Sequence, residues 1–141
     1  MPTVEFHTGV AEPVGFACRL LRKACQQRVP VLVIAAPELL DELDQALWTF
    51  DAQSFLPHVR LPAADAGVAG RTPIWLATQA PPPPRPAVLL NLGADELPQA
   101  GDFERVIEVI GLDDAARRAG RQRWRHYEQW GVRPKHHASS A

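Results

Sequence analysis

The sequence predicts an α/β fold: a mostly parallel sheet flanked by helices, with no nucleotide-binding loop. Three observations predict it. Strand-like and helix-like segments alternate along the chain. Two strand-like runs, Val31 to Ala35 and Ala87 to Leu92, are apolar on both faces, which suits parallel strands covered from both sides. The intervening segments repeat apolar residues at steps of three and four, the period of an amphipathic helix.

Thr3 to His7 reads as a first strand, with Val4 and Phe6 alternating against polar neighbours. Val14 to Gln27 reads as a helix. Phe16, Leu20, Leu21, Ala24 and Cys25 form its apolar stripe, and Arg19, Arg22, Lys23 and Gln26 its polar face. The run Val31 to Ala35 is the second strand, and Pro37 then suits a first helical turn. A second helix spans about Glu38 to Thr49. Arg60 to Arg71 shows no clear period and reads as a loop. Pro73 to Thr78 is a third strand. Pro81 to Pro84 with Pro86 can be neither helix nor central strand. That stretch is either a stiff surface loop spacing two strands or a polyproline ligand for an aromatic groove. Ala87 to Leu92 and Phe103 to Ile110 are the fourth and fifth strands, and Leu112 to Trp130 a long last helix. A length of 141 residues suits one domain over 1–134, with 135–141 a flexible tail.

Hydrophobic residues make up 46% and the formal net charge is −1, so the whole chain is no general trap for nucleic acid. The charge is uneven, however. Arg117, Arg118, Arg121, Arg123, Arg125, Arg133 and Lys135 crowd the end of the chain against only Asp113, Asp114 and Glu128. Arginine dominates, which favours bidentate recognition of carboxylate or phosphate. Cys18 and Cys25 sit seven apart in a helical pattern and read as reduced core residues. No signal peptide or membrane span is legible, so a cytoplasmic protein is expected.

Catalytic motifs are missing where the fold would place them. The loop after the first strand, His7 to Pro13, has one glycine and fits neither a P-loop nor GxGxxG. Asp95 and Glu96 follow the fourth strand and read as a metal pair or, more simply, as the start of a turn. His7, His58, His126, His136 and His137 match no metal-ligand spacing. None of Ser54, Ser139 and Ser140 lies in a nucleophile elbow. No catalytic residue, cofactor or metal is therefore expected.

Two segments stand out. In Leu39 to His58, Trp48 falls at the edge of the helical stripe, and Phe55 and Pro57 follow in an extended stretch. They read as core or loop-anchoring aromatics, or as an exposed aromatic patch for a partner. On the last helix Arg117, Arg121, Trp124, Arg125 and Glu128 share one face. Such a stripe is either a solvated face or a receptor for an acidic peptide, with a terminal carboxylate on arginine and an aromatic side chain on Trp124.

The same two segments carry a resemblance. A-L-W-x5-S-F-x-P-H, from Ala46 to His58, and R-x-R-W-R-H-Y-E-Q-W-G, from Arg121 to Gly131, resemble the chi subunit family of DNA polymerase III. That resemblance implies a Rossmann-like fold that binds no nucleotide. It also implies a non-catalytic adaptor linking the clamp loader, through the psi subunit, to the single-stranded-DNA-binding protein. That protein's tail is acidic and ends in Phe with a free carboxylate. Arg117, Arg121, Trp124 and Arg125 fall on the tail-binding positions. Trp48 and Phe55, with Pro57, fall on positions used for psi or, alternatively, a repair helicase. DNA would be met only indirectly, and a membrane not at all. The rival readings are a degenerate nucleotide-binding α/β enzyme and direct nucleic-acid binding by the Arg-rich last helix.

Overall fold

A computed structural model describes residues 2–50, 55–62, 66–94, 97 and 99–138. Seven strands form one sheet: β1 (Thr3–Val10), β2 (Val31–Ile34), β3 (His58–Arg60), β4 (Ile74–Ala77), β5 (Val88–Asn91), β6 (Arg105–Gly111) and β7 (Lys135–Ala138). The helices are α1 (Pro13–Gln26), α2 (Pro37–Thr49), the short α3 (Ala66–Gly70) and α4 (Asp114–Gln129), with a 3-10 turn at Ala100–Asp102. The strand order is β3-β4-β2-β5-β6-β1-β7, and every pairing is parallel.

Side-chain alternation on the strands divides the core in two. Val31 and Val33 of β2, with Leu76, Leu90 and Ile107, face α1 and α2 and pack on Cys18, Leu21, Leu40, Leu43 and Leu47. Leu32 and Ile34, with Val4, Phe6, Leu89, Val106 and Ile110, face α4 and pack on Tyr127 and Trp124. Both faces are covered, which is why the central strands read as continuous apolar runs.

Several departures from the sequence reading have physical causes. β3 is only three residues long and contains His58 and Arg60, so it carries no alternation to find. It and α3 fall beside or within the stretch that reads as a loop from Arg60 to Arg71. β7 is Lys-His-His-Ala with no buried residue, and it occupies Lys135–Ala138 within the stretch that reads as a tail. The pairing with β1 supplies an order that the side chains do not announce. β1 also runs on to Val10, past a register shift between His7 and Val10 at which Gly9 has φ +65°, a conformation that favours glycine. The last helix begins at Asp114 rather than Leu112, because Asp113 caps it: its carboxylate accepts from the backbone N–H of Ala116 at 2.8 Å.

The proline-rich stretch spaces β4 from β5. Arg85 folds back there. It donates to the Pro81 carbonyl at 2.8 Å, lies 4.7 Å over the Phe103 ring and pairs with Asp102. Among the described residues no helix is long and apolar enough to cross a membrane.

Candidate functional site

A groove of about 630 Å³ runs between α4 and the β1–β7 edge of the sheet. Arg117, Arg121, Trp124, Arg125 and Glu128 line it from the helix, at the spacing the sequence puts on one face. The opposite wall was not legible. Phe6, Thr8 and Gly9 come from β1, Ile110 from β6 and His136 from β7. Trp124 is half-buried, its ring 4.9 Å from Phe6 and 6.4 Å, edge-on, from His136. His136 is fixed in turn by Thr8, whose Oγ1 lies 2.6 Å from its Nε2.

The floor of the groove depends on a glycine. A Cβ at Gly120 would stand 2.8 Å from Ile110 Cδ1 and 3.2 Å from its Cγ1. A mid-helix glycine costs about 1 kcal/mol against alanine. Here it lets α4 lie close on β6 and leaves space between the Arg117–Arg121 and Trp124–Arg125 turns.

Arg117, Arg121 and Arg125 are exposed, and none forms an ion pair among the described residues. At 1.5 Å per residue the ladder is about 12 Å long, the reach of about four residues of extended peptide. Three like charges at i and i+4 repel modestly.

Arg123, one residue off this face, does something else. It is buried, and its Nε donates to Glu108 Oε1 at 2.9 Å while its NH1 group donates to the Ala94 carbonyl at 2.9 Å. Glu108 is fully buried and also accepts from Asn91 Nδ2 and from the Tyr127 hydroxyl, each at 2.8 Å. Burial pushes the Glu108 carboxyl above its ordinary value, against the pull of Arg123 and the donors. Burial and the Glu108 charge push Tyr127 up as well, so its hydroxyl remains a donor. This network joins the middle of α4 to β5 and β6 and orients the helix. Sequence reasoning counted Arg123 with the basic cluster; the available signal was the lone Glu108 within the apolar run of β6.

The carboxyl edge of the sheet, where α/β folds commonly bind ligands, offers fewer backbone donors than an uncapped set of helix starts would. α1 and α2 each open on a proline, which has no N–H to offer, and the carboxylate of Asp113 already occupies the start of α4. Asp95 and Glu96 lie outside the described residues, and among those described no cluster of three His, Cys, Asp or Glu could hold a metal.

The model for the family "DNA polymerase III chi subunit, HolC" matches residues 1–135. The chain belongs to the DNA polymerase III chi subunit family. It is 34% identical over 116 residues to the DNA polymerase III subunit chi of Pseudomonas aeruginosa, an alignment covering 82% of this chain and 78% of that protein. It is 30% identical over 90 residues to the Escherichia coli subunit of the same name, covering 63% of this chain and 59% of the relative, less than two thirds of its length. Chi is by name a subunit of a replicative polymerase, so the family is a component of the replication machinery.

The second chi-like segment lies at the opposite edge of the sheet. Six inter-strand gaps of about 4.8 Å separate β3 from β7, about 29 Å. Trp48, at the end of α2, and Phe55, leading into β3, are each 59% exposed, and their rings lie 5.1 Å apart. Pro57 is half-buried beside them. Beneath sits His58, whose side chain is 2% exposed and whose ring meets Trp48 edge-on at 5.1 Å. Its Nδ1 lies 2.8 Å from the Leu56 carbonyl and its Nε2 2.6 Å from Asp44 Oδ1, which pins the aromatic pair to α2. Leu47, next to Trp48, points inward instead. Trp48 and Phe55 are therefore not core residues: they are exposed and in ring contact with each other across the loop that joins α2 to β3. Ser54, within the same motif, lies outside the described residues.

Proposed function

We propose that this chi-family chain is a non-catalytic cytoplasmic adaptor with two partner surfaces. The α4 groove receives the acidic C-terminal tail of single-stranded-DNA-binding protein. Arg121 clamps the terminal carboxylate, Arg117 and Arg125 draw the upstream acidic residues, and the terminal Phe packs on Trp124. The surface of Trp48, Phe55 and Pro57 takes the psi subunit of the clamp loader or, alternatively, a repair helicase. DNA is reached only through these partners.

The observation that carries this reading is the unpaired ladder of Arg117, Arg121 and Arg125 beside a groove walled by Trp124 and Phe6. The placement of the two surfaces at opposite sheet edges supports simultaneous engagement. The prolines and the capping carboxylate at the helix starts weigh against a nucleotide-dependent enzyme.

Each exposed ion pair gives about 0.2–1 kcal/mol, so a single tail should bind at roughly micromolar Kd. Several tails on one oligomer would raise this by avidity. Fluorescence anisotropy of a labelled acidic peptide ending in Asp-Ile-Pro-Phe tests the reading. Saturable binding that Arg121→Ala and removal of the terminal Phe both weaken is expected. No binding at low salt sinks the tail receptor. Equal binding of any single strand with a steep salt slope would instead assign the ladder to nucleic acid.

A further inference from the structure

β7 has no buried residue and pairs on one side only, with β1. Elements with few buried contacts open at low cost. Beyond backbone pairing, histidines hold this strand, one on each face of the sheet. On one face the rings of His7 and His137, opposite each other in register, stack with centroids 4.9 Å apart and planes 18° apart. On the other, His136 meets Thr8 and Trp124 and walls the α4 groove. The family match ends at residue 135, so three of the four β7 residues follow it.

Two imidazoles stacked this closely repel when both are charged. Among the described residues, the surroundings hold no free anion to relieve that. Glu5 lies 3.7 Å from His7 Nε2, but both of its oxygens already accept from Arg105, and Lys135 stands opposite it in register. From α1 the ring meets Phe16 at 5.1 Å. Burial and the neighbouring His137 hold His7 below the ordinary histidine value. A histidine lowered by docking stabilises the docked state above its ordinary value, and this contribution is lost as pH falls below it.

We infer that the His7–His137 pair is an acid-sensitive latch: it docks β7 on β1 near neutrality, releases it in mild acid, and so controls the second wall of the α4 groove. The consequence for peptide binding rests on the tail-receptor reading; the docking of β7 does not.

Amide hydrogen exchange of the full chain, followed by NMR at pH 7.5 and 5.5 and corrected for intrinsic rates, tests the latch. One proton taken up on release shifts docking by up to about 10-fold per pH unit. Protection at the β7 amides that bond to β1 should fall by at least ~3-fold relative to β2 and β5, well within that limit. His137→Phe keeps a ring, and so the burial, against His7 without a second charge and should weaken this pH dependence. Protection that is the same at both pH values, or pH-dependent release that is undiminished in His137→Phe, overturns the latch. In the peptide assay the affinity should drop more between pH 7.5 and 5.5 for the wild type than for His137→Phe. A peptide that binds at neither pH defeats the tail-receptor reading and the groove-control part with it, leaving β7 docking to be judged by exchange alone.

Discussion

Replacing Arg123 by methionine should cost about 3–5 kcal/mol at slightly alkaline pH and much less in mild acid. Methionine keeps an apolar stem but removes the guanidinium that donates to Glu108 and to the Ala94 carbonyl. Ala94 retains a donor in Asn91 Nδ2 at 3.2 Å, so its carbonyl is not orphaned. Glu108 retains Asn91 and Tyr127 but stands as an uncompensated charge with no solvent exposure, and that accounts for most of the cost. The carboxyl can escape by taking a proton. Burial already raises its pKa, and losing Arg123 raises it further. A carboxyl raised on folding costs stability as pH climbs from its unfolded value through its folded one. The variant's window extends higher than the wild type's, so the gap between them widens with pH, by up to about 1.4 kcal/mol per pH unit. Urea unfolding of both proteins at pH 5, 6.5 and 8 measures this. The gap should grow by at least ~1.4 kcal/mol across the series, which corresponds to a roughly tenfold weaker hold of Arg123-free Glu108 on its ionised form. A gap that is flat with pH, or below ~1 kcal/mol at pH 8, the worth of an ordinary hydrogen bond, would refute an ionised Glu108–Arg123 pair.

Gly120→Ala adds a Cβ that meets Ile110, an overpacking cost of about 1–3 kcal/mol, against a helix-propensity gain of about 1. Adding Ile110→Val, which removes the Cδ1 atom, should recover part of the loss; strictly additive effects in the double-mutant cycle would show that the contact is not tight. Trp48→Ala should change the urea midpoint by no more than ~0.5 kcal/mol equivalent, as for other exposed sites, whereas Leu47→Ala, one residue earlier, should cost about 2–5. Equal losses at the two positions would mean that the Trp48 ring is structural. Arg117→Glu with Arg125→Glu should leave thermal stability within a few °C, consistent with surface substitution, while abolishing binding of the acidic peptide. Retained binding would remove these two residues from the site.

The central sheet was legible because its chemistry is local. Val31 to Ile34 and Val88 to Asn91 announce themselves by composition, and α4 by its period. The helix side of the groove was legible for the same reason, since Arg117, Arg121, Trp124 and Arg125 are neighbours on one helix. The far wall was not. Phe6, Thr8 and His136 come within reach of Trp124 only through a parallel pairing between chain ends, and no local pattern encodes that register. β3 failed in the same way: three residues with a buried histidine and a surface arginine have no strand signature apart from their neighbour β4. The partner of Arg123 was not legible, because charge counting cannot tell a solvated guanidinium from one held by a buried carboxylate 15 positions away.

The position of β1 has a bearing on how the protein is made. It precedes the other six strands in the chain, yet both of its neighbours come late: Thr3 pairs with Arg105, and Glu5 with Lys135. At bacterial elongation rates of about 5–20 residues per second, the nascent first strand waits on the order of ten seconds for a partner. Until then Val4, Phe6 and Val10, all buried in the finished fold, have no sheet to join. β2 and β4, close in sequence and paired to each other, can associate earlier. Folding on the ribosome should therefore run from the β2–β4 half outward, with the N-terminal strand inserted last between β6 and β7. Any truncation or stall before β6 emerges leaves an unpaired apolar strand open to chaperones and to aggregation.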